Sequence, residues 1–181
     1  MVVIAESGLV SLRDFEASDY EVYLSWFARP GVWQQTDAPW EELPQNKDIE
    51  SNFSFLLTDH RKPRRKVAIS VKPTCCLVGW VVAYGSNVHP HACEVGIDIC
   101  EDSFLGKGVG SEALQLWLSY LFDVGEFHRV GLVTYSFNTP MIRLAERLGF
   151  QHEGTQREFH YWSGRWVDRL FYGLLRSEWN S

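Results

Sequence analysis

The chain has 181 residues, 45% of them hydrophobic and 14% aromatic, with 17 Lys and Arg against 23 Asp and Glu for a formal net charge of −6. At about 150 residues per domain this length reads as one domain, residues 1–181, and the apolar content excludes a disordered chain. The acidic balance argues against nucleic acid as the main partner and favours a cationic one.

The opening, MVVIAESGLV, lacks the basic and long apolar regions of an export signal, and no apolar stretch approaches bilayer-spanning length. A cytoplasmic protein with no membrane partner is expected. Its four cysteines, Cys75, Cys76, Cys93 and Cys100, then read as reduced core thiols. The basic run RKPRRK at 61–66 reads as a solvated loop.

The alternation in VSLRDF, 10–15, predicts a strand, after which Ser18 and Glu21 have the spacing of a capping box that opens a helix carrying Tyr23, Trp26 and Phe27. That helix ends before Pro30, which disfavours helical dihedrals in its predecessor. GVWQQTDAPWEELPQ has no clear period and reads as a loop. Ile49, Phe53, Leu56 and Leu57 then mark a second helix over 47–58.

KVAISV and CLVGWVVAY, joined by Lys72, Pro73 and Thr74, predict an antiparallel hairpin, and CEVGIDIC a third strand. A helix follows with Leu114, Trp117, Leu118 and Leu121 on one face. HRVGLVTYSF is the next strand, ended by Asn138; Thr139 caps a helix with Pro140 in its first turn, and Gly149 with Phe150 closes it. HEGTQREFHYW and RWVDRLFYGLL, around Ser163 and Gly164, complete a last hairpin. The order makes an α+β fold with a mixed, mostly antiparallel sheet of about seven strands and about four helices.

Between CEVGIDIC and its helix lies FLGKGVGSEA, with glycine at 106, 108 and 110. A strand feeding a glycine loop that opens a helix aims free amides and the positive end of the helix dipole at one point, which suits a phosphate. A tight turn without ligand has the same glycines. The spacing is one residue short of the dinucleotide fingerprint and lacks the Gly-Lys-Ser/Thr ending of a nucleotide-triphosphate loop.

LGKGVG resembles the phosphate loop of the GNAT acyl-CoA-dependent N-acetyltransferases, with Leu105 where Gln or Arg is usual. NTPMIRLAERLGF is similar to that family's N-x-x-A-I-R-L-Y-E-K-L-G-F helix. EGTQRE with GRWVDRLFYGLLRSEW is similar to the ending of its RimJ/RimL-like branch, which modifies ribosomal-protein N-termini. The resemblance runs over nearly the whole chain. It implies acetyl-CoA as co-substrate, its pyrophosphate held by amides from Leu105, Gly106, Lys107, Gly108, Val109 and Gly110. The pantetheine arm would pair with the backbone of Asp98, Ile99 and Cys100 and hydrogen-bond Asn138.

Acetyl transfer to an amine needs a deprotonated amine, oxyanion stabilisation and a proton for the departing thiolate. Glu94, Gly96, Asp98 and Cys100 share one strand face. Asp98 is the first candidate base and Glu94 the second, although both acids on this face could simply be solvated or ion-paired. GIDI before LGKGVG also resembles the stretch of aminoglycoside 6'-N-acetyltransferases whose Asp is the proposed base. Ala145 stands where many members carry the tyrosine acid, which leaves Ser136, water or unassisted departure.

Trp33, Asp37 and Trp40 form a candidate wall for a cationic amine; the tryptophans read equally as plugs under a long loop. His89, His91 and Cys93 lack a fourth metal ligand, so no metal is expected. The leading reading is an acetyl-CoA-dependent N-acetyltransferase acting on a primary amine: a protein N-terminus, a polyamine or an aminoglycoside-like molecule. A non-catalytic acyl-CoA-binding module is the alternative, and a dinucleotide-binding protein a third. The apolar C-terminal hairpin leaves a homodimer open.

Overall fold

The structure is a computed structural model and describes residues 2–29, 31–36, 38–85 and 89–179. In chain order the elements are β1 (Val3–Glu6), β2 (Val10–Arg13), α1 (Tyr20–Ala28), α2 (Val32–Thr36), α3 (Asn46–Thr58), β3 (Lys66–Val71), β4 (Cys76–Gly85) and β5 (Ala92–Ile99). They continue with α4 (Val109–Asp123), β6 (Arg129–Tyr135), α5 (Thr139–Arg147), β7 (Gln151–Trp162) and β8 (Arg165–Leu175). The strands form one eight-stranded sheet in the order β1-β2-β3-β4-β5-β6-β8-β7.

Side chains that alternate along the strands feed a core on each face of the sheet. On one face Val67, Ile69, Val81, Val95, Val130 and Leu132 pack against Leu114, Trp117, Leu118 and Leu121 of α4, with Ala145 of α5 in the same cluster. On the other, Ala68, Trp80 and Cys100 pack under Tyr23 and Trp26 of α1 and Ile49 and Phe53 of α3. Each of these fully buried large side chains contributes roughly 1.5–3 kcal/mol of transfer free energy.

The sequence pattern locates most elements, with six differences. β1 is an eighth strand; its four residues are too short for a periodic signal and gain their structure by pairing with β2. The stretch read as a loop after Pro30 contains α2, whose first amide, on Val32, donates to Asp102 Oδ1 at 3.1 Å from seventy residues away. α1 is preceded by a 3-10 turn, Ala17–Asp19. There the buried Asp19 accepts from Glu16 N–H at 2.8 Å and binds Arg13 at 2.7 and 2.8 Å, so Ser18 and Glu21 do not form the box.

The cap of α5 is Asn138 rather than Thr139: its Oδ1 accepts from Met141 N–H at 3.1 Å. Cys75, in the β3–β4 turn, and Cys76, the first residue of β4, are exposed, and only Cys93 and Cys100 are core thiols. The basic run is also no simple solvated loop, since Arg64 is buried and its guanidinium pairs with Asp14 at 2.8 Å. No helix among the described residues is long and apolar enough to cross a membrane.

Candidate active site

β5 and β6 make the only parallel pairing among the described strands, and it stops at Val95 and Leu132. Beyond that rung β5 stays paired with β4 as far as Ile99, opposite Gly79. β6 stays paired with β8 as far as Tyr135, opposite Arg169. The two strands therefore diverge within the sheet, and the edge of β5 from residue 96 to 99 has no strand beside it on the β6 side. A strand edge of this kind can receive an extended ligand through main-chain hydrogen bonds.

The glycine loop sits at the far end of the same edge. Gly108 is the N-cap of α4 in the left-handed region, φ +83°, and Gly106 has φ +71°. Nothing lies within 4 Å of where a Cβ on either would project. The first amides of α4 have no intrahelical acceptor and point into this space with the positive end of a fifteen-residue helix behind them. This open, positively polarised cradle fits a pyrophosphate.

A cleft of about 450 Å³ joins the two features. Ile97, Asp98 and Ile99 line the cleft along β5, and Leu105, Gly106, Gly108 and Gly110 line it at the glycine loop. α5 supplies Asn138, Met141, Leu144 and Arg147, while α2 contributes Val32, Trp33 and Thr36.

Of the remaining residues singled out by sequence, Val109 has its side chain in the α4 core. Cys100 is buried on the opposite face, and Lys107 Nζ lies 5.7 Å from the Phe104 ring centroid. Glu94 is exposed at the paired end of β5, beside Gly131. Ser136 does not line the cleft, and its hydroxyl accepts from Asp168 N–H at 3.0 Å. Asp37 lies outside the described residues.

Trp33 lines the cleft and packs edge-on against Trp80, 5.5 Å between centroids. Trp40 does not line it; it stacks on His160 at 4.1 Å and meets Tyr135 edge-on at 4.8 Å. Asn138, expected to hydrogen-bond the pantetheine arm, lines the cleft, and its side-chain amide also forms a brace. Oδ1 caps α5, and Nδ2 donates to the Thr36 carbonyl at the end of α2 at 3.0 Å, tying together the two helices that flank the cleft.

Behind Asp98 lies Lys66 of β3, whose Nζ is 3.9 Å from the Trp80 ring centroid and 5.6 Å from that of Tyr23. Burial lowers the Lys66 ammonium to about 8, against the opposing pull of the Asp98 carboxylate. Burial first, then the charges of Cys100 and Asp98, raises Tyr23 to about 12. Asp98 thus shares its side of the sheet with a cation held over aromatic rings.

Sequence reasoning passed over Lys66, Thr36 and Arg147. Met141, Leu144 and Arg147 recur every third residue of α5, a spacing that places them on one face. Lys66 offered no comparable signal inside a basic run. Among the described residues no group of three or more His, Cys, Asp and Glu is placed to hold a metal ion.

A strand pair that splays beside a glycine-capped helix defines the class to which this protein belongs. Residues 10–151 match the family model described as an acetyltransferase (GNAT) domain, and the chain belongs to that family of N-acetyltransferases. It is 28% identical over 170 residues to an uncharacterised N-acetyltransferase, p20, of Bacillus licheniformis, covering 93% of this chain and 94% of p20. It is 30% identical over 89 residues to the ribosomal protein uS5-alanine N-acetyltransferase of Escherichia coli, covering 49% of this chain and 45% of that enzyme. The crystal structure of spermidine N-acetyltransferase from Vibrio cholerae with CoA and spermine superposes with a TM-score of 0.79 at 21% identity, over 95% of this chain and 98% of the other.

Proposed function

We propose that residues 1–181 act as one catalytic domain that transfers an acetyl group from acetyl-CoA to a primary amine by direct attack. The observation that carries this reading is the run of open β5 edge, residues 96–99, leading straight into the Gly106–Gly110 cradle within one cleft. Acetyl-CoA supplies the activated acyl group as a thioester. The amides at Gly106, Gly108 and Gly110, with those of the first turn of α4, hold its pyrophosphate. Arg147, the last residue of α5 and part of the cleft lining, supplies a cation to the cleft that suits an anionic ligand. The β5 edge at Asp98 and Ile99 orients the extended arm through main-chain hydrogen bonds.

Asp98 is the base in this scheme, taking a proton from the incoming ammonium directly or through water; Glu94, exposed at the paired end of the strand, is the second choice. The Lys66 cation and the Asp98 carboxylate attract each other across this face of the sheet. An α-amino group sits less than about one unit above neutral pH and a lysine-type amine about three, so the base matters more for the latter. The acceptor enters from the α1 and α3 side of the sheet, where the Asp98 side chain lies. Protein N-termini are favoured by the kinship to the uS5-alanine enzyme and polyamines by the likeness to the spermidine enzyme.

A non-catalytic acyl-CoA-binding module is the second reading. Its support is that no acid stands out among the described residues: Ala145 is fully buried, and the Ser136 hydroxyl accepts from Asp168 N–H of β8. Free-thiol release from acetyl-CoA, assayed against N-terminal peptides, polyamines and aminoglycosides beside calorimetric titration of acetyl-CoA, separates the two. Amine-dependent release supports transfer. Binding without release supports the module, and no binding overturns both.

A further inference from the structure

From the register of the sheet we infer that Arg169 is an acceptor-binding residue, selecting amines that carry a carboxylate some distance from the amino group. The inference rests on the acetyl-transfer reading for the position of the amine, and on independent geometry for the arginine. Asp98 lies three residues beyond the last β5–β6 rung at Val95, and Tyr135 three beyond its partner Leu132. The two therefore stand at one level on either side of the splay. Tyr135 is opposite Arg169 on β8, and Arg169 is opposite Gln156 on β7. Glu94 pairs with Gly131, so the even residues of β5 and the odd residues of β6 share a face. Asp98, Tyr135 and Arg169 form a row on that face.

Arg169 is built into this row. Its Cζ lies 5.3 Å from the ring centroids of both Phe159 and Phe171. Phe159 reaches it because β7 shifts register between Gln156 and His160. Glu158 there has φ +53°, and its N–H donates to Asp168 Oδ1 at 2.8 Å. A bulge of this kind re-aims a side chain at the cost of ladder pairing. The Arg169 Nε is buried with no hydrogen-bond partner among the described residues, whereas Arg13, Arg64 and Arg129 each grip a carboxylate. A buried guanidinium donor without an acceptor is costly, and an incoming carboxylate satisfies it in the fork geometry that suits arginine.

Paired strands lie about 4.8 Å apart, and β5 and β6 stand farther apart than that beyond their last rung, so an amine at Asp98 and an anion at Arg169 are separated by at least about 10 Å. A peptide N-terminus fits this span when its third residue is acidic, since each extended residue covers about 3.3–3.6 Å and the side chain adds the remainder. The row thus disfavours a polycation and favours an acidic N-terminal peptide.

The test is binding and acetylation of Ala-Ala-Glu-Ala-amide and Ala-Ala-Gln-Ala-amide, with spermidine alongside, by wild type, Arg169→Ala and Arg169→Lys. Binding is titrated with the protein saturated in CoA, so the outcome does not depend on turnover. The expected result is wild-type preference for the Glu peptide of roughly tenfold or more, expressed in Kd and KM rather than kcat. That preference is lost in Arg169→Ala and partly kept in Arg169→Lys, while affinity for the Gln peptide is unchanged. Equal affinity of wild type for the two peptides, no binding of either, or an equal loss for both in Arg169→Ala overturns the inference. Acetylation of spermidine or the Gln peptide with no Glu preference leaves acetyl transfer standing while removing Arg169 from recognition. A Glu preference in binding without any acetylation does the reverse.

Discussion

Val95 and Leu132 form the last rung between β5 and β6, and the next residues on each strand turn to β4 and β8 alone. Everything assigned to the site follows from that divergence. It exposes the β5 edge and opens the cleft in front of Asp98. If Asp98 is the base, Asp98→Asn keeps wild-type affinity for CoA and lowers kcat/KM by about a hundredfold or more, the usual worth of general-base help. Steady-state kinetics with calorimetry of CoA checks both halves, and a variant as active as wild type removes Asp98 from the mechanism.

Gly108 has space for a methyl group but not the backbone for one. At φ +83° an alanine is strained although nothing lies within 4 Å of its Cβ. Gly108→Ala is expected to lose about 1–2 kcal/mol of stability, measured by urea unfolding. CoA affinity falls with it, because the methyl group projects into the open space of the cradle.

Asn138 links α2 to α5, and two substitutions separate its two bonds. Asn138→Ala removes the cap as well as the bond to Thr36 and is expected to cost about 1 kcal/mol. Asn138→Asp retains a cap oxygen but loses the donor that holds α2, so it keeps more stability than Asn138→Ala while CoA binding weakens as in the alanine variant. Thermal melts and calorimetry on the pair distinguish a brace from a ligand contact. A pantetheine contact alone would leave stability untouched in both variants.

Lys66 is lowered from 10.5 to about 8 in the folded chain. Between those values the unfolded chain binds the proton and the folded chain does not, so unfolding takes up protons and stability rises with pH. Wild type is therefore expected to gain stability relative to Lys66→Met from pH 8 to about 10.5, a gain absent below the folded-state value. Melting temperatures of both proteins at pH 7, 8 and 9.5 test the sign; parallel curves would show that Lys66 keeps an ordinary affinity for its proton.

The elements most legible in the sequence are those with a long period or a stereochemical mark. α4 shows its apolar stripe through Leu114, Trp117, Leu118 and Leu121, and the β7–β8 hairpin is marked by Ser163 and Gly164, both at positive φ. α2 was illegible because its five residues are held by Asp102 and by the Gln34 side chain, which accepts from Gly31 N–H and donates to the Trp26 carbonyl. The same holds for Asn138: its capping role is a local preference, but its bond to Thr36 spans 102 positions.

The sequence by itself determined the order of the strands and helices from β2 onward apart from α2, the glycine loop and the kinship that implies acetyl-CoA. These depend on periodicity, on backbone freedom at Gly106 and Gly108, and on motifs contiguous in the chain. Only the tertiary structure decided where β5 and β6 part, that Lys66 lies behind Asp98, that Trp40 leaves the cleft for His160, and that Arg169 stands level with Asp98. Those relations join residues dozens of positions apart through strand register and cross-chain packing. Such contacts form only when the whole sheet is assembled, and no local pattern of residues encodes them.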